Sequence, residues 1–424
     1  MQLLENKNIL IGVSSSIAIY KTLELIRLFK KAGALVQVIM TPASKKFISP
    51  LTFETLSQNK VLDDTNEDWS TNTNLNHIDI GKWADIFIIA PATANTINKL
   101  SNGIADNILL QTALAYPKLK LLCPAANTNM IQNPLTKASL KMLKLCNFEI
   151  IDTVSKELAC KDIGDGAMAE VEDIFHTTVS KLLATRYWKD RKVVLNGGGT
   201  IEKIDDVRYI SNFSSGKMAN ALATALYYKG ADVCLITTSS NTKSLPKNIH
   251  IINVQNTKEM LKFVEDSIRV AKKGKMSSAT LMDDSQMQLI QKKPYFFAVS
   301  AISDYIAKFP QNGKLKKDDI GESWSLELKQ NIDLISTINK DGIYAIGFKA
   351  EMDKNVAIDN AINMLDKKSI DAVCLNIIDD NNQFGGDNNT ITLLTHKYQT
   401  NKLNGSKLDV SFDILENLKA IFSE

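Results

Sequence analysis

The sequence predicts an α/β protein made of two doubly wound domains in series, and three observations carry that expectation. The chain opens with a short apolar run, a helix-spaced apolar segment and a second apolar run, which is the β-α-β plan of a parallel sheet. The same plan restarts after a charged and aromatic segment, Arg186 to Lys192. Finally, 424 residues, at roughly 150 per domain, are more than one core organises.

In the first half, Asn8 to Val13 reads as a strand, Ile17 to Lys31 as a helix stopped by Gly33, and Leu35 to Met40 as the next strand. Fully apolar runs at Ile86 to Ala90 and Leu119 to Cys123 read as strands buried on both faces. Helical spacing marks Thr96 to Ser101, Asn107 to Ala115 and Leu135 to Leu145, and Val171 to Ala184 closes the unit. Arg186 to Lys192 breaks the periodicity, so the domains are expected at 1–188 and 189–424. The second half repeats the plan with strand Val193 to Asn196, helix Lys217 to Lys229 and strand Val233 to Thr237. Later strands are expected at His250 to Val254, Phe296 to Ser300, Tyr344 to Phe348 and Ala372 to Asn376, with helices at Thr257 to Lys273 and Ala357 to Lys367. Lys272 to Lys293, polar and rich in methionine and lysine, reads as an inserted surface loop or helix. In each domain the ligand crevice is expected beyond the carboxyl ends of the strands.

Composition narrows the function classes. Lys+Arg 50 against Asp+Glu 47 leaves +3, too small an excess for the polyelectrolyte field that nucleic-acid binding exploits. Hydrophobic content of 44% with 23% charged residues excludes large-scale disorder. No apolar stretch approaches the roughly 18 residues that read as a membrane span, and Met1 to Lys7 lacks the plan of a secretory signal, so a cytoplasmic location is expected. The cysteines, Cys123, Cys146, Cys160, Cys234 and Cys374, form no CxxC pair and indicate neither a disulfide framework nor a zinc knuckle.

The segments that follow strands carry the chemistry. Gly12-Val13-Ser14-Ser15-Ser16-Ile17 places three hydroxyls between the first strand and first helix, where orphan N–H groups favour an anion, although a serine there also serves as a plain N-cap. Asn76 to Asp85, containing His77, precedes a buried strand, and Ala90-Pro91-Ala92-Thr93-Ala94-Asn95-Thr96 follows it with small residues and hydroxyls. Pro124-Ala125-Ala126-Asn127-Thr128-Asn129-Met130 is another turn past a strand, and Ala159 to Met168 is a glycine-containing loop around Cys160, whose neighbour Lys161 favours the thiolate. Read singly, His77 is a packed or surface histidine, the Asn127 segment a turn and Cys160 an inert thiol.

Read together, these motifs and their order resemble the phosphopantothenoylcysteine decarboxylase domain of the flavin-dependent cysteine decarboxylases over residues 1 to 188. The resemblance implies a flavodoxin-like fold, bound FMN, and loss of CO2 after flavin oxidises the thiol-bearing carbon, with Ser14, Ser15, Ser16, Thr93 and Asn95 as flavin contacts. It implies that His77 is the acid-base or carboxylate-orienting residue, that Asn127 holds the substrate carboxylate and that Cys160 supplies a proton. The chain departs from the family pattern at Ser15-Ser16, usually Gly-Gly or Gly-Ser; at Ala126, usually Met; at Lys161, usually Gly; and at Ala167, usually Arg.

In the second half, Asn196-Gly197-Gly198-Gly199-Thr200-Ile201-Glu202 follows a strand, and its glycines let a phosphate approach the backbone. Asp205 to Met218 concentrates Arg208, Asn212, Ser214, Ser215, Gly216 and Lys217 at a helix start, a second anion site. Ser300-Ala301-Ile302-Ser303-Asp304-Tyr305 ends a strand, and Gly313-Lys314-Leu315-Lys316-Lys317 is a basic loop suited to offset developing negative charge. These motifs, with Asn-x-Asp-Leu at Asn331 and Gly-Phe-x-Ala-Glu at Gly347, resemble phosphopantothenate-cysteine ligase across residues 191 to about 400.

That resemblance implies a Rossmann-like ligase domain in which CTP converts a carboxylate into an acyl-cytidylate and the cysteine amine displaces CMP. Asn212 is implied to orient the carboxyl or the acyl-cytidylate, and Lys314 to convert that intermediate, with Lys316 and Lys317 on phosphates. Gly198, Gly199, Arg208, Ser214, Ser215, Gly216, Lys217, Ala301, Asp304, Asn331, Asp333 and Phe348 are the implied nucleotide and substrate contacts, and Mg2+, with Asp304 as candidate ligand, would offset the triphosphate charge. Lys203 and Asp206 stand where the family motif has proline, Phe213 stands where a small or polar residue is common, and the basic run after Glu351 is reduced to Lys367-Lys368.

The two resemblances together predict a fused enzyme of bacterial coenzyme A synthesis acting on small molecules, without nucleic-acid or membrane partners, and a homo-oligomer of paired ligase halves and trimeric decarboxylase halves. Two rivals stand beside it: a flavin-binding regulatory relative, and a ligase with an inactive first half.

Overall fold

The computed structural model describes residues 2–70, 76–157, 163–277, 281, 287–316, 321–379, 382–383 and 385–423. It divides into two compact units, one made of Met1–Leu182 with Ser277–Gln288 and one of Leu183–Met276 with Leu289–Glu424.

In the first unit the chain runs β1 (Asn8–Val13), α1 (Ile19–Lys31), β2 (Leu35–Met40), α2 (Pro50–Ser57), α3 (His77–Trp83), β3 (Ile86–Ala92), α4 (Ala94–Ser101), α5 (Ile108–Ala115) and β4 (Lys120–Pro124). It continues with α6 (Thr128–Gln132), α7 (Pro134–Leu145), β5 (Phe148–Ile150), the hairpin strands β6 (Val154–Glu157) and β7 (Ile163–Ala167), and α8 (Val171–Leu183). Among the described residues the main sheet has the order β2-β1-β3-β4-β5 and is parallel throughout. Its central strands are apolar on both faces because helices cover both: every residue of β3 and β4 is buried. Helix α1 buries Leu25, Ile26 and Phe29 and stops at Gly33, whose φ of 93° suits glycine. It starts two residues later than its apolar spacing suggests, and just ahead of it Ala18 N–H donates to Ser16 Oγ at 3.2 Å.

The second unit runs β8 (Lys192–Gly197), β9 (Glu202–Lys203), β10 (Tyr209–Ile210), α9 (Lys217–Tyr228), β11 (Asp232–Thr237), β12 (His250–Asn253), α10 (Thr257–Ala271), β13 (Lys275–Met276), β14 (Leu289–Ile290) and β15 (Tyr295–Ala298). It ends with β16 (Tyr305–Ala307), β17 (Leu328–Gln330), α11 (Leu334–Thr337), β18 (Tyr344–Glu351), α12 (Ala357–Lys368), β19 (Ala372–Ile377), β20 (Asn388–Leu394), β21 (Leu403–Ser406) and α13 (Lys407–Phe422). Its sheet has the order β12-β11-β8-β15-β18-β19-β20-β21. The first six strands are parallel in the Rossmann arrangement, and β20 and β21 add an antiparallel edge. Helices α10 and α12 supply Met260, Val264, Ala361 and Leu365 to a core with Val194, Phe296 and Val373 of the sheet. On the other face α9 and α13 pack together, with Tyr228 stacked on Phe412 at 6.4 Å.

The expected doubly wound plan is therefore present in both units, with additions that local periodicity does not show. The antiparallel edge, α3 and α13 are such additions. The charged segment near residue 190 is not a solvated linker: Trp188 is fully buried, its ring 4.9 Å from that of Tyr295, and the Arg191 guanidinium lies 4.1 Å from the Tyr187 ring. Within Lys272 to Lys293, β13 pairs antiparallel with β14, and residues 278–280 and 282–286 lie outside the described residues.

At the carboxyl end of β8 the fully buried Asn196 accepts hydrogen bonds from Val299 N–H at 2.8 Å and Ser300 N–H at 3.1 Å. Substituting Asn196→Ala strands both donors, so unfolding stability by chemical denaturation should fall by about 1–3 kcal/mol, whereas Asn248→Ala on the surface of the same unit should change little.

Candidate functional site

In both units the strand order reverses beside the first strand, and the crevice this leaves lies at the carboxyl edge of the sheet. In the first unit the reversal separates β1 from β3. Ser14, fully buried, donates to Pro91 C=O at 2.7 Å and accepts from Thr93 N–H at 3.0 Å, so its hydroxyl closes that gap. Thr93 caps α4 through Thr96 N–H; Ser15 and Ser16 are half-buried beside Ser14, and Asn95 is exposed. Thr41, which follows β2, was not singled out by sequence. Its hydroxyl is buried at this same edge with no hydrogen-bond partner among the described residues, and its N–H donates to Val13 C=O. The pattern that marks it is the one that marks Thr93, a hydroxyl directly after a buried strand. A buried, unpaired hydroxyl beside the Ser14 turn fits the phosphate of a flavin mononucleotide.

His77 is the first residue of α3, whose N-cap Asn76 accepts from Ile78 and Asp79 N–H. A helix leading into a parallel strand begins at the carboxyl edge of the sheet, so His77 stands at the same edge as Ser14 and Thr93. Its Nδ1 lies 2.7 Å from Glu67 Oε1, and Trp69 meets the ring edge-on at 5.3 Å. Asn127 caps α6 through Asn129 N–H. Its turn is held from two sides: Ala125 N–H bonds Ala92 C=O at 2.9 Å, and Ala126 N–H bonds Gly166 C=O of β7 at 3.1 Å. The hairpin sits so close that a Cβ at Gly166 would lie 1.9 Å from Ala126 C=O, and one at Gly164 1.9 Å from the Thr128 hydroxyl. Cys160 and Lys161 lie outside the described residues; β6 and β7 flank them.

The root of the hairpin is fixed ionically. Glu170 binds Lys21 of α1 at 3.0 Å and Lys156 of β6 at 2.8 Å, while Lys21 also donates to Met168 C=O at 3.1 Å. Burial pulls the Lys21 ammonium below its ordinary value, and Glu170 opposes that shift.

In the second unit the reversal separates β8 from β15. Gly198 has φ +81°, and a Cβ there would lie 2.2 Å from the Thr238 hydroxyl; Gly216, at φ +71°, forms the N-terminal cap of α9. Two neighbouring clefts divide the residues that sequence groups together. Gly198, Ser214, Ser215, Gly216, Lys217 and Ala301 line the first; Asp304, Asn331 and Asp333 line the second; Ser300 and Phe348 border both. Gly199 bridges to Ala301 at the rim of the first. The hydroxyls of Ser300 and Ser303 are buried without a partner among the described residues and suit a polar ligand.

Several of these side chains already have protein partners. Asn331 donates to Thr257 Oγ1 at 2.9 Å and Ser303 C=O at 2.8 Å, within a buried network that also joins Glu202 and Thr200. Asp333 caps α11 and pairs with Lys368 at 3.0 Å; burial would raise its carboxyl, but Ser336 and Lys368 together hold it below the usual range. Lys217 pairs with Asp387 at 2.6 Å. Asn212 donates to Ile302 C=O at 2.9 Å, which leaves its second amide hydrogen and its carbonyl for a ligand.

The lysine loop is anchored by the Asp205 to Arg208 turn. Asp205 accepts from Val207, Arg208 and Leu315 N–H, Asp206 Oδ2 accepts from Gly313 N–H at 2.7 Å, and Arg208 donates to Leu315 C=O at 2.8 Å with Trp324 5.4 Å away. Burial would raise the Asp205 carboxyl, but those N–H donors outweigh it and hold it below the usual carboxylate range. Residues on both sides of Lys314 are thus fixed while Lys314 and Lys316 are exposed; Lys317 lies outside the described residues. Asp304 is exposed, and among the described residues no three His, Cys, Asp or Glu side chains gather as metal ligands.

Comparison with known proteins covers both units. Residues 1–183 match the Flavoprotein family, and residues 188–273 and 269–421 match the C-terminal domain of the DNA/pantothenate metabolism flavoproteins. The chain is 34% identical to the "Coenzyme A biosynthesis bifunctional protein CoaBC" of Haemophilus influenzae, covering 98% of each. The proteins of the same name from Bacillus subtilis and Vibrio vulnificus are 33% and 32% identical, covering 99% of this chain and 98% and 99% of theirs.

The docking of the hairpin on the Asn127 turn is open to a direct test. Gly166→Val forces the Ala126 carbonyl away, costing about 1–3 kcal/mol of docking. Amide hydrogen exchange at Ala126 should accelerate roughly ten- to hundred-fold while exchange in β1 and β3 stays unchanged.

Proposed function

The chain belongs to the bifunctional CoaBC family of coenzyme A biosynthesis, a decarboxylase and ligase in one polypeptide, and on that premise we propose how its residues divide the work. Residues 189–424 couple 4'-phosphopantothenate to cysteine at the expense of CTP, and residues 1–188 decarboxylate the resulting 4'-phosphopantothenoylcysteine to 4'-phosphopantetheine with FMN. The observation that carries this reading is similarity over the full length of bifunctional relatives, spanning both units, each of which has its own crevice. The enzyme is cytoplasmic, with ligase halves in pairs and decarboxylase halves in trimers.

In the ligase half, Asn212 uses its remaining amide hydrogen and carbonyl to orient the substrate carboxyl as it is activated. The glycine turn and the start of α9 hold phosphates on backbone N–H groups. Lys314 places an ammonium against the charge that develops as CMP leaves and the amide forms, with Lys316 and Lys317 on phosphates; the Asp205 to Arg208 turn keeps that loop in place. Asp304 would hold Mg2+, which would offset the triphosphate charge.

In the decarboxylase half, Ser14, Ser15, Ser16, Thr93 and Asn95, joined by Thr41, hold FMN, which when bound supplies the oxidation that makes the carboxylate a leaving group. Asn127, whose side-chain carbonyl caps Asn129 N–H, holds the substrate carboxylate. His77 orients that group or moves a proton, and Cys160 returns one to the product.

Incubating the purified protein with 4'-phosphopantothenate, cysteine and CTP should release pyrophosphate and then CO2. No pyrophosphate removes the ligase assignment, and pyrophosphate without CO2 removes the decarboxylase. Substituting Lys314→Gln should lower the rate of ligation about 10²- to 10³-fold, measured as peptide product, while decarboxylation of added 4'-phosphopantothenoylcysteine is unchanged.

A further inference from the structure

Glu67 has no part in any motif of the sequence, yet it makes the shortest polar contact of His77. One carboxylate oxygen, Oε1, faces both the imidazole Nδ1 at 2.7 Å and the His77 backbone N–H at 3.2 Å. Both side chains are largely sheltered, at 21% and 23% exposure, so water competes weakly for the bond. The contact is not a chance meeting of two surface chains, because the loop that presents Glu67 is itself built. Asp63 accepts from Thr65 N–H at 2.8 Å and pairs with Lys45 at 2.6 Å, and Asn66 donates to Val61 C=O at 2.7 Å. Next to it Asp64 accepts from Ile108 N–H at 2.9 Å and ties the loop to the start of α5. The ring also meets Trp69 edge to face at 5.3 Å, and the Asn76 cap fixes the start of the helix that carries it.

A neutral imidazole carries one proton, and the nitrogen that keeps it is the one hydrogen-bonded to an acceptor. A carboxylate at Nδ1 therefore leaves Nε2 as the nitrogen that accepts a proton from a substrate and, once protonated, donates to it. It also steadies the imidazolium formed when Nε2 takes a proton. We propose that Glu67 is the positioning residue for His77, fixing the Nδ1–H tautomer and the ring plane so that Nε2 serves the substrate. This rests on the reading of His77 as the acid-base or carboxylate-orienting residue of decarboxylation.

The test uses the full-length, flavin-loaded protein and added 4'-phosphopantothenoylcysteine, with His77→Ala, Glu67→Ala and Glu67→Gln compared. Glu67→Ala should lower kcat of CO2 release roughly 10- to 100-fold with KM little changed, and the 15N shifts of His77 should move from an Nδ1–H to a mixed-tautomer pattern. Glu67→Gln, whose amide oxygen still accepts from Nδ1–H, should restore the 15N pattern and part of kcat. Ligation and flavin content should match the parent in all three. Unchanged kcat and 15N shifts in Glu67→Ala, with His77→Ala inactive, overturn the proposal alone. Full decarboxylation by His77→Ala overturns the underlying reading of that histidine. A loss of kcat in Glu67→Ala with unchanged 15N shifts also overturns the proposal, because the residue would then act otherwise than through the tautomer.

Discussion

Each unit depends on one buried polar side chain that spans the gap where its sheet changes direction. A parallel sheet that winds outward from its first strand must separate that strand's carboxyl end from the neighbour on the other side, and unpaired backbone groups result. Ser14 closes the gap in the first unit by donating to Pro91 and accepting from Thr93. Asn196 closes it in the second by accepting from Val299 and Ser300. The two residues differ in chemistry because the gaps do: one needs a donor and an acceptor on a short hydroxyl, the other a carbonyl that reaches two adjacent N–H groups. With the backbone satisfied there, the residues just beyond each strand are available to ligands.

What was legible in the sequence follows from what is local. Strands such as β3 and β8 show themselves because burial on both faces writes continuous apolar runs, and turns such as Ser14 to Ser16 because a strand meets a helix start. The side chains that complete the sites are placed by contacts distant in sequence and leave no periodic trace. Glu67 reaches His77 from ten residues away across a separate loop, and Thr41 joins the Ser14 edge only once β2 lies beside β1. The hairpin β6–β7 is polar and glycine-bearing because it packs against a turn rather than a core, so neither strand period appears. The antiparallel edge was missed for a related reason: β20 alternates apolar and polar residues over a short span, and nothing in that span tells which neighbour it pairs with.

Motif membership also mixes two kinds of residue. Thr200, Glu202, Asn331 and Asp333 stand in the segments that mark the ligase half, yet their side chains are bonded to one another, to Thr257 or to helix starts. Asn331 and Asp333 line the second cleft, and Phe348 borders both. Asp206 is the reverse case. Where the family motif has proline, this chain has a residue with an N–H and a carboxylate, and both bond Gly313 beside the lysine loop. The substitution changes the backbone freedom of the turn but adds two anchors that proline cannot make.

The clasp at the hairpin root, finally, is electrically uneven. Glu170 shares its charge between Lys21, whose side chain is 8% exposed, and Lys156, which is 42% exposed. Dissolved ions screen the second contact over a Debye length of about 8 Å at physiological ionic strength and hardly reach the first. The end of β6 is therefore held by a bond that weakens in brine, while the root after β7 keeps its anchor to α1. Ionic strength therefore acts more strongly on the β6 leg of the hairpin than on its root at α1.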